Sequence, residues 1–327
     1  MRCRGGGMSL GTWLVTGGTG FLGGHVVPQL QAAGCDVVLL VPSWEQKSRS
    51  VFGRVPVLVG DLADEGVSLG ASQFDVVLHM AGIAHRSPRT QEEAQVFYKV
   101  NAGGTFNLLK ALERSKRAPN CFILVSTVAV YGLEAGELVT EDAERAANDP
   151  YGASKRQAED VAMEYCAKLG MRCCILRLPL VAGRRPPGNL GAMVDALRRG
   201  RYVRVGGGSA KRSMVWAEDV GRILPRASEA QGVYHLTDGW HPSFRELDEA
   251  LAKAMGRRPP LSVPHMVVHL LARGGDLGER LLKRTLPLNT AKFAKLVNTL
   301  TFSDEKARKD LGWSPSRVLD HAEEIVM

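Results

Sequence analysis

A glycine-rich turn set between an apolar run and an amphipathic stretch constrains this chain more tightly than anything else in it. Thr12–Thr16 reads as a buried strand, and Thr16-Gly17-Gly18-Thr19-Gly20-Phe21-Leu22-Gly23 follows at once. Gly17, Gly20 and Gly23 stand in G-x-x-G-x-x-G spacing. That spacing serves a tight turn, an approach of bare backbone to a pyrophosphate, and close contact of helix with strand. The stretch behind it, 20–33, reads as a helix whose N-terminus offers unpaired N–H groups and a positive dipole end to phosphates. A plain structural turn is the alternative; strand before and helix after favour dinucleotide binding.

The rest of the first two-thirds keeps the same rhythm. Strand-like runs are expected at 37–41, 55–60, 76–79, 121–126 and 172–178, with helical stretches at 96–115 and 151–169. Runs apolar on both faces and separated by helices imply a doubly wound α/β fold, a parallel sheet covered on both sides. Past Pro179 the alternation breaks at Arg184-Arg185-Pro186-Pro187-Gly188 and Gly206-Gly207-Gly208. We therefore expect a dinucleotide-binding domain over 8–182 and a smaller C-terminal substrate region over 183–327. Residues near 214–238, with a strand at 233–236, are expected to return to the first.

Composition narrows the class of protein. Of 327 residues, 45% are hydrophobic and 23% charged, the balance of a globular chain. No apolar run approaches the ~18 residues of a membrane span, and Met1–Gly7 lacks the apolar core of a signal peptide, with Met8 an equally good start. The six cysteines form no CxxC pair, so neither disulfides nor zinc are expected, and a reduced cytoplasmic setting is. The net charge of +8 suits solvated helix faces or an anionic, phosphate-bearing ligand. Nucleic acid is not an expected partner, because no binding motif accompanies the charge. His265 and His269 stand four apart without a third candidate ligand, so no metal site is expected; 266–271 reads as a packing or self-association face.

Cofactor choice and chemistry come from further along. The second strand ends Leu40-Val41-Pro42-Ser43, with no carboxylate where a ribose of NAD would be held. Lys47 and Arg49 are cations suited to a 2′-phosphate, which tilts the choice toward NADP; Glu45 lies further out. Asp149-Pro150 suits a helix start, and Tyr151 and Lys155 then share one helical face. An ammonium beside a phenol lowers its pKa, which prepares the tyrosine to move a proton. Ser126 and Thr127 stand at the carboxyl end of a strand, where such sheets bind ligands, and Thr127 is the better donor to a reacting oxygen.

Glycine turn, Thr127, Tyr151 and Lys155, in that order, resemble the extended short-chain dehydrogenase/reductases, and within them the nucleotide-sugar epimerase/dehydratase family. The resemblance spans nearly the whole chain. It implies a Rossmann domain whose NAD or NADP touches Gly17, Gly20, Phe21, Leu22 and Gly23. Further contacts are implied at Asp61-Leu62, at Ala81 and Gly82 of His79-Met80-Ala81-Gly82, at Asn101, and at Ser126, Tyr151, Lys155 and Pro179. Leu311-Gly312-Trp313-Ser314-Pro315 is also similar to the family's C-terminal pattern. On the substrate side the resemblance implies nucleotide-diphosphate contacts at Asn189 and Arg212, a guanidinium fork being suited to phosphate. A solvated basic loop is the alternative for Arg212.

Three positions depart from relatives of known type. Val128-Ala129 replaces the Asp-Glu of the 4,6-dehydratases, Leu180 stands where galactose epimerases have Asn, and Val41 replaces their acidic residue for NAD. The expected activity is hydride exchange at C4 of a nucleotide-linked sugar, a UDP-sugar first, with the 4-epimerase ranked narrowly above an NADPH-dependent 4-keto-sugar reductase. A non-catalytic dinucleotide-binding sensor or scaffold is the rival of another class, and the intact Thr127/Tyr151/Lys155 set argues against it. By analogy with the family, the long helix over 96–112 is expected to help form a homodimer.

Overall fold

The structure is a computed structural model that describes residues 10–42, 55–84, 88, 90–115, 117–270, 273 and 290–327. The leader, Glu45, Lys47 and Arg49 lie outside the described residues.

Seven strands form the main sheet: β1 (Thr12–Thr16), β2 (Asp36–Val41), β3 (Val57–Val59), β4 (Val76–His79), β5 (Cys121–Thr127), β6 (Arg172–Leu178) and β7 (Gly232–His235). Their spatial order is β7-β6-β5-β4-β1-β2-β3, and every pairing is parallel. The direction of winding reverses between β1 and β4, which opens a crevice at the carboxyl ends of both. Alternate residues build the two cores: Trp13, Val15, Cys121 and Ile123 pack on one face, Leu14, Phe122 and Leu124 on the other. Cys35, Cys121, Cys166, Cys173 and Cys174 are all free and buried, small hydrophobes in use.

Helix α1 (Phe21–Ala32) leaves the glycine turn and packs Val26, Val27 and Leu30 into the first core. The helix expected from residue 96 begins earlier, as α2 (Gln91–Phe97), and runs through a π turn at Tyr98–Gly103 into α3 (Gly104–Glu113). Apolar periodicity missed this first stretch because its signal is polar. The Thr90 hydroxyl accepts the Glu93 N–H at 3.2 Å, and Glu92 and Glu93 sit at the positive dipole end. Helix α4 (Pro150–Leu169) starts on an Asp149 cap that accepts the Gly152 N–H at 3.0 Å and stops at Gly170, whose φ is +68°.

A third core lies beyond the sheet. It draws Leu190, Val194 and Leu197 from α5 (Gly188–Arg198), Met214 and Trp216, Leu247 and Leu251, and Val318 and Ile325 near the C-terminus. Met214–Trp216 pairs with Leu180–Ala182, whereas α6 (Ala217–Ala227) packs Val220, Ile223 and Leu224 against α1, and β7 closes the sheet beside β6. The C-terminal stretch also crosses back. Leu300–Phe302 pairs with Gly136–Val139, and Ala307, Leu311 and Trp313 belong to the core of β1.

Candidate active site

The turn after β1 shows why it needs its glycines. Gly17 has φ +70°, and a Cβ there would lie 2.6 Å from the Ala81 nitrogen of the turn after β4. At Gly23 a Cβ would lie 2.3 Å from the Gly18 carbonyl, so this residue seats α1 on the turn. Gly20 meets only the Gly17 carbonyl, at 3.3 Å, and faces open space. That space is a cavity of about 1710 Å³, bordered by Gly17, Gly20, Phe21 and Leu22 on this side. Asp61 and Leu62 after β3, and Ala81 and Gly82 after β4, continue its wall. Asp61 accepts the Ala63 N–H at 2.8 Å, which shapes its own turn, and the Leu62 carbonyl is tied to Asn107 at 2.8 Å.

β5 brings Ser126 and Thr127 to the same cavity, where Tyr151, Lys155 and Pro179 meet them. A short 3₁₀ turn, Val128–Tyr131, follows Thr127, whose hydroxyl accepts the Ala129 N–H at 3.2 Å. This turn presses on the start of α4, since a Cβ at Gly152 would lie 2.6 Å from the Ala129 carbonyl. Thr127 is thereby held against Tyr151. Burial raises the phenol pKa, a hydrogen bond from Thr127 lowers it, and the Asp149 charge raises it again. Lys155, four residues on, is held to the strand behind it. Its Nζ donates to the Val125 carbonyl at 3.0 Å, and burial brings its own pKa down to about 8 against the opposing charge of Glu159.

Three expected contacts are engaged elsewhere. The Ser126 hydroxyl donates to Glu159 at 2.5 Å, so its side chain serves the core even where its backbone borders the cavity. Asn101, on the π turn, is buried behind the wall: its Oδ1 accepts the Ile83 N–H at 2.9 Å and its Nδ2 donates to Ser154 at 3.0 Å. Gly23 is likewise behind the wall, in contact with the turn. A single-turn π bulge at such a place is a frequent device of functional sites.

On the substrate side, Asn189 and Arg212 both line the cavity. Asn189 is exposed near the N-terminus of α5. Arg212 is half-buried rather than a solvated member of a basic loop. Its Nη1 donates to the carbonyls of Lys211, at 3.1 Å, and Asn298, and its guanidinium lies 5.6 Å from the Phe244 ring centre. Leu133, Leu180 and Met193 border the same space.

Sequence reasoning missed the ionic layer beneath the site. Glu159, one turn past Lys155, takes Arg177 at 2.7 and 3.0 Å, Ser126 at 2.5 Å and Arg145 at 3.3 Å. Arg177 also donates to the Tyr131 hydroxyl at 2.6 Å, and that oxygen lies 2.6 Å from His235 Nε2. The four-residue step from Tyr151 to Lys155 to Glu159 is visible in the sequence; the identity of the partner is not. Among the described residues no group of three His, Cys, Asp or Glu could hold a metal, and His265 and His269 flank the Phe293 ring. No helix of the described residues is long and apolar enough to cross a membrane.

Comparison with known proteins bears on this arrangement. The model of the family described as NAD dependent epimerase/dehydratase matches residues 13–235. UDP-glucose 4-epimerase 2 of Oryza sativa subsp. japonica is 29% identical over 297 residues, 77% of this chain and 71% of that protein. A 4-hydroxy-2-methyl-3-oxo-4-farnesyl-3,4-dihydroquinoline-1-oxide ketoreductase of Stigmatella aurantiaca is 28% identical over 92% of this chain and 91% of its own. Among solved structures, UDP-glucuronic acid 4-epimerase from Bacillus cereus, in complex with UDP-glucuronic acid and NAD, superposes with a TM-score of 0.73 at 21% identity. That match covers 96% of this chain and 98% of the other, and shows the shared fold.

Proposed function

The chain belongs to the NAD dependent epimerase/dehydratase family, and from that premise we propose that it is a nucleotide-sugar 4-epimerase acting on a UDP-linked sugar. One observation carries the reading. Thr127, Tyr151 and Lys155 line the same cavity as the glycine turn, and so do Asn189 and Arg212.

The residues present fit a dinucleotide. Gly17 and Gly20 leave the turn without side chains, and the first N–H groups of α1 are available to a pyrophosphate. Gly20, Phe21 and Leu22 would hold the phosphates, Asp61 and Leu62 the adenine end, and Lys155 with Pro179 the nicotinamide end. The nicotinamide held there would supply a reversible hydride acceptor for C4 of the sugar, serving both faces in an epimerase. Tyr151 takes the proton of the C4 hydroxyl at its phenolic oxygen and gives it back when the carbonyl is reduced. Thr127 orients that oxygen through the hydroxyl already directed at Tyr151. Lys155 sits beneath, a buried cation that favours the phenolate as charge develops. Arg212, braced by two carbonyls and a ring, would grip a diphosphate, with Asn189 beside it.

A second reading keeps the same residues. β2 ends in Val41-Pro42 with no carboxylate for a ribose, which favours an NADPH-dependent 4-keto-sugar reductase that releases its cofactor each turn. Purification without added cofactor, followed by denaturation and mass spectrometry, separates the two. Stoichiometric NAD supports the epimerase; an empty protein that prefers NADPH in titration supports the reductase; binding of neither overturns both. Tyr151→Phe is expected to keep cofactor binding and lose at least about a hundredfold in turnover. Unchanged turnover would end the mechanism. A homodimer through the α2–α4 face is part of the proposal, supported by exposed Val96, Phe106 and Met163, and sedimentation velocity tests it.

A further inference from the structure

Behind the cavity wall runs a line of buried polar side chains that the proposed chemistry does not use. Thr16, His79, Asn101, Thr105 and Ser154 are each at most 1% exposed. They come from β1, β4, the π turn, α3 and α4. Thr16 precedes Gly17 of the cofactor turn, and Ser154 lies one turn past Tyr151.

The distances link them in sequence. Thr16 Oγ1 accepts the Ala81 N–H at 3.2 Å and lies 2.6 Å from His79 Nδ1. His79 Nε2 lies 3.0 Å from Thr105 Oγ1, which donates to the Asn101 carbonyl at 2.6 Å. The Asn101 side chain donates to Ser154 at 3.0 Å, and the Ser154 hydroxyl donates to the Tyr151 carbonyl at 2.8 Å.

Hydrogen counting then leaves one arrangement. The Thr105 hydroxyl has a single proton, spent on the Asn101 carbonyl, so it must accept from a protonated Nε2 of His79. In a neutral ring Nδ1 is then a bare acceptor, and Thr16 donates into it. Thr16 keeps a lone pair for Ala81. A charged ring would leave the Thr16 hydroxyl proton without its acceptor and would face the Lys155 ammonium, the charged group His79 senses.

We propose that these five side chains form a one-directional hydrogen-bonded spine that positions the catalytic tyrosine relative to the cofactor turn, with His79 fixed as its neutral Nε2–H tautomer. The spine rests on the proposed reading only in calling Tyr151 catalytic. None of its members touches the reacting atoms; they are positioning residues. The five side chains are almost without exposure, so a lost partner inside the line is not readily replaced by solvent, and the ends feel the loss together.

The tautomer is tested on the full chain with 15N-labelled histidine and long-range 1H–15N correlation. The expected result is a bare Nδ1 and a protonated Nε2 for His79, unchanged from pH 7.5 to pH 5. A protonated Nδ1, or titration near the ordinary 6.5, would overturn the spine whatever the enzyme proves to catalyse. Positioning is tested by a double-mutant cycle with His79→Gln and Ser154→Ala, using UDP-glucose and NAD as probes. Each single variant should lower kcat by about fivefold with KM for UDP-glucose little changed, and the pair should lose no more than the worse single. Multiplying effects would overturn it. Where His79→Gln fails to fold, Thr105→Val takes its place in the cycle. If wild type does not turn over UDP-glucose, the epimerase reading is what fails, and the tautomer result alone decides the spine.

Discussion

At Gly17 a single hydrogen atom separates a working turn from a blocked one. A methyl group there would meet the Ala81 nitrogen at 2.6 Å in a backbone with φ +70°. Gly17→Ala should therefore cost more than about 1 kcal/mol of stability and most of the affinity for nicotinamide dinucleotides. Urea unfolding and a fluorescence titration measure the two; a variant that binds as well as wild type would show that the turn tolerates a side chain. The need for glycine was legible from spacing, but the atom that enforces it comes from a residue 64 positions away. Histidines set a second expectation at this scale. Burial holds His79 at a pKa of about 3 and His235 at about 4, below the ordinary 6.5. An unfolded chain therefore binds protons, below pH 6.5, that the folded one refuses, and stability falls as pH drops from 6.5 toward these values. The urea midpoint should decline between pH 7 and pH 5, above the range where ordinary carboxylates titrate. A flat midpoint would contradict both assignments.

Elements differ in how openly the sequence declares them. Helix α4 carries its own punctuation, Asp149-Pro150 before and Gly170 after, and its observed bounds lie within one residue of the expected ones. α2 was hidden because its N-terminus is polar and its signal is a Thr90 cap rather than an apolar stripe. What α4 does with its buried face depends on β5 and β6. Glu159 and Arg177 form a pair almost without exposure, and removing one partner leaves the other charge buried. Glu159→Gln should cost about 3–5 kcal/mol, read as a lower denaturant midpoint. A change below about 1 kcal/mol would mean that Arg145 and water compensate. Tyr151 and Lys155 were both legible from their spacing; that the ammonium is held by a backbone carbonyl of β5 was not.

The molecule as a whole is tied together by its C-terminal stretch. Trp313 is buried in the core that holds Trp13 and Leu176, and its indole N–H donates to the Thr237 carbonyl at 2.8 Å. Trp313→Ala should destabilise by about 3–5 kcal/mol, and calorimetry should show a lower midpoint for the dinucleotide-binding part itself. An unchanged midpoint would make 300–327 an appendage. The split expected near residue 183 let only the residues near 214–238 return to the first domain. Packing brings the C-terminal stretch back as well, since Ala307, Leu311 and Trp313 complete a core begun at residue 13.

The sequence by itself determined the order of the main sheet's strands, the glycine turn, and most of the residues that line the cavity from both sides. These are local matters: side-chain period, caps, and the φ that only glycine adopts freely. Tertiary structure alone decided that Glu159 meets Arg177, that His79 bridges Thr16 and Thr105, and that the last strand pairs with Gly136–Val139. Such contacts join residues up to 164 positions apart, from Gly136 to Leu300. No local pattern announces them, because a buried polar group is satisfied by whichever partner the packing of whole elements brings within 3 Å.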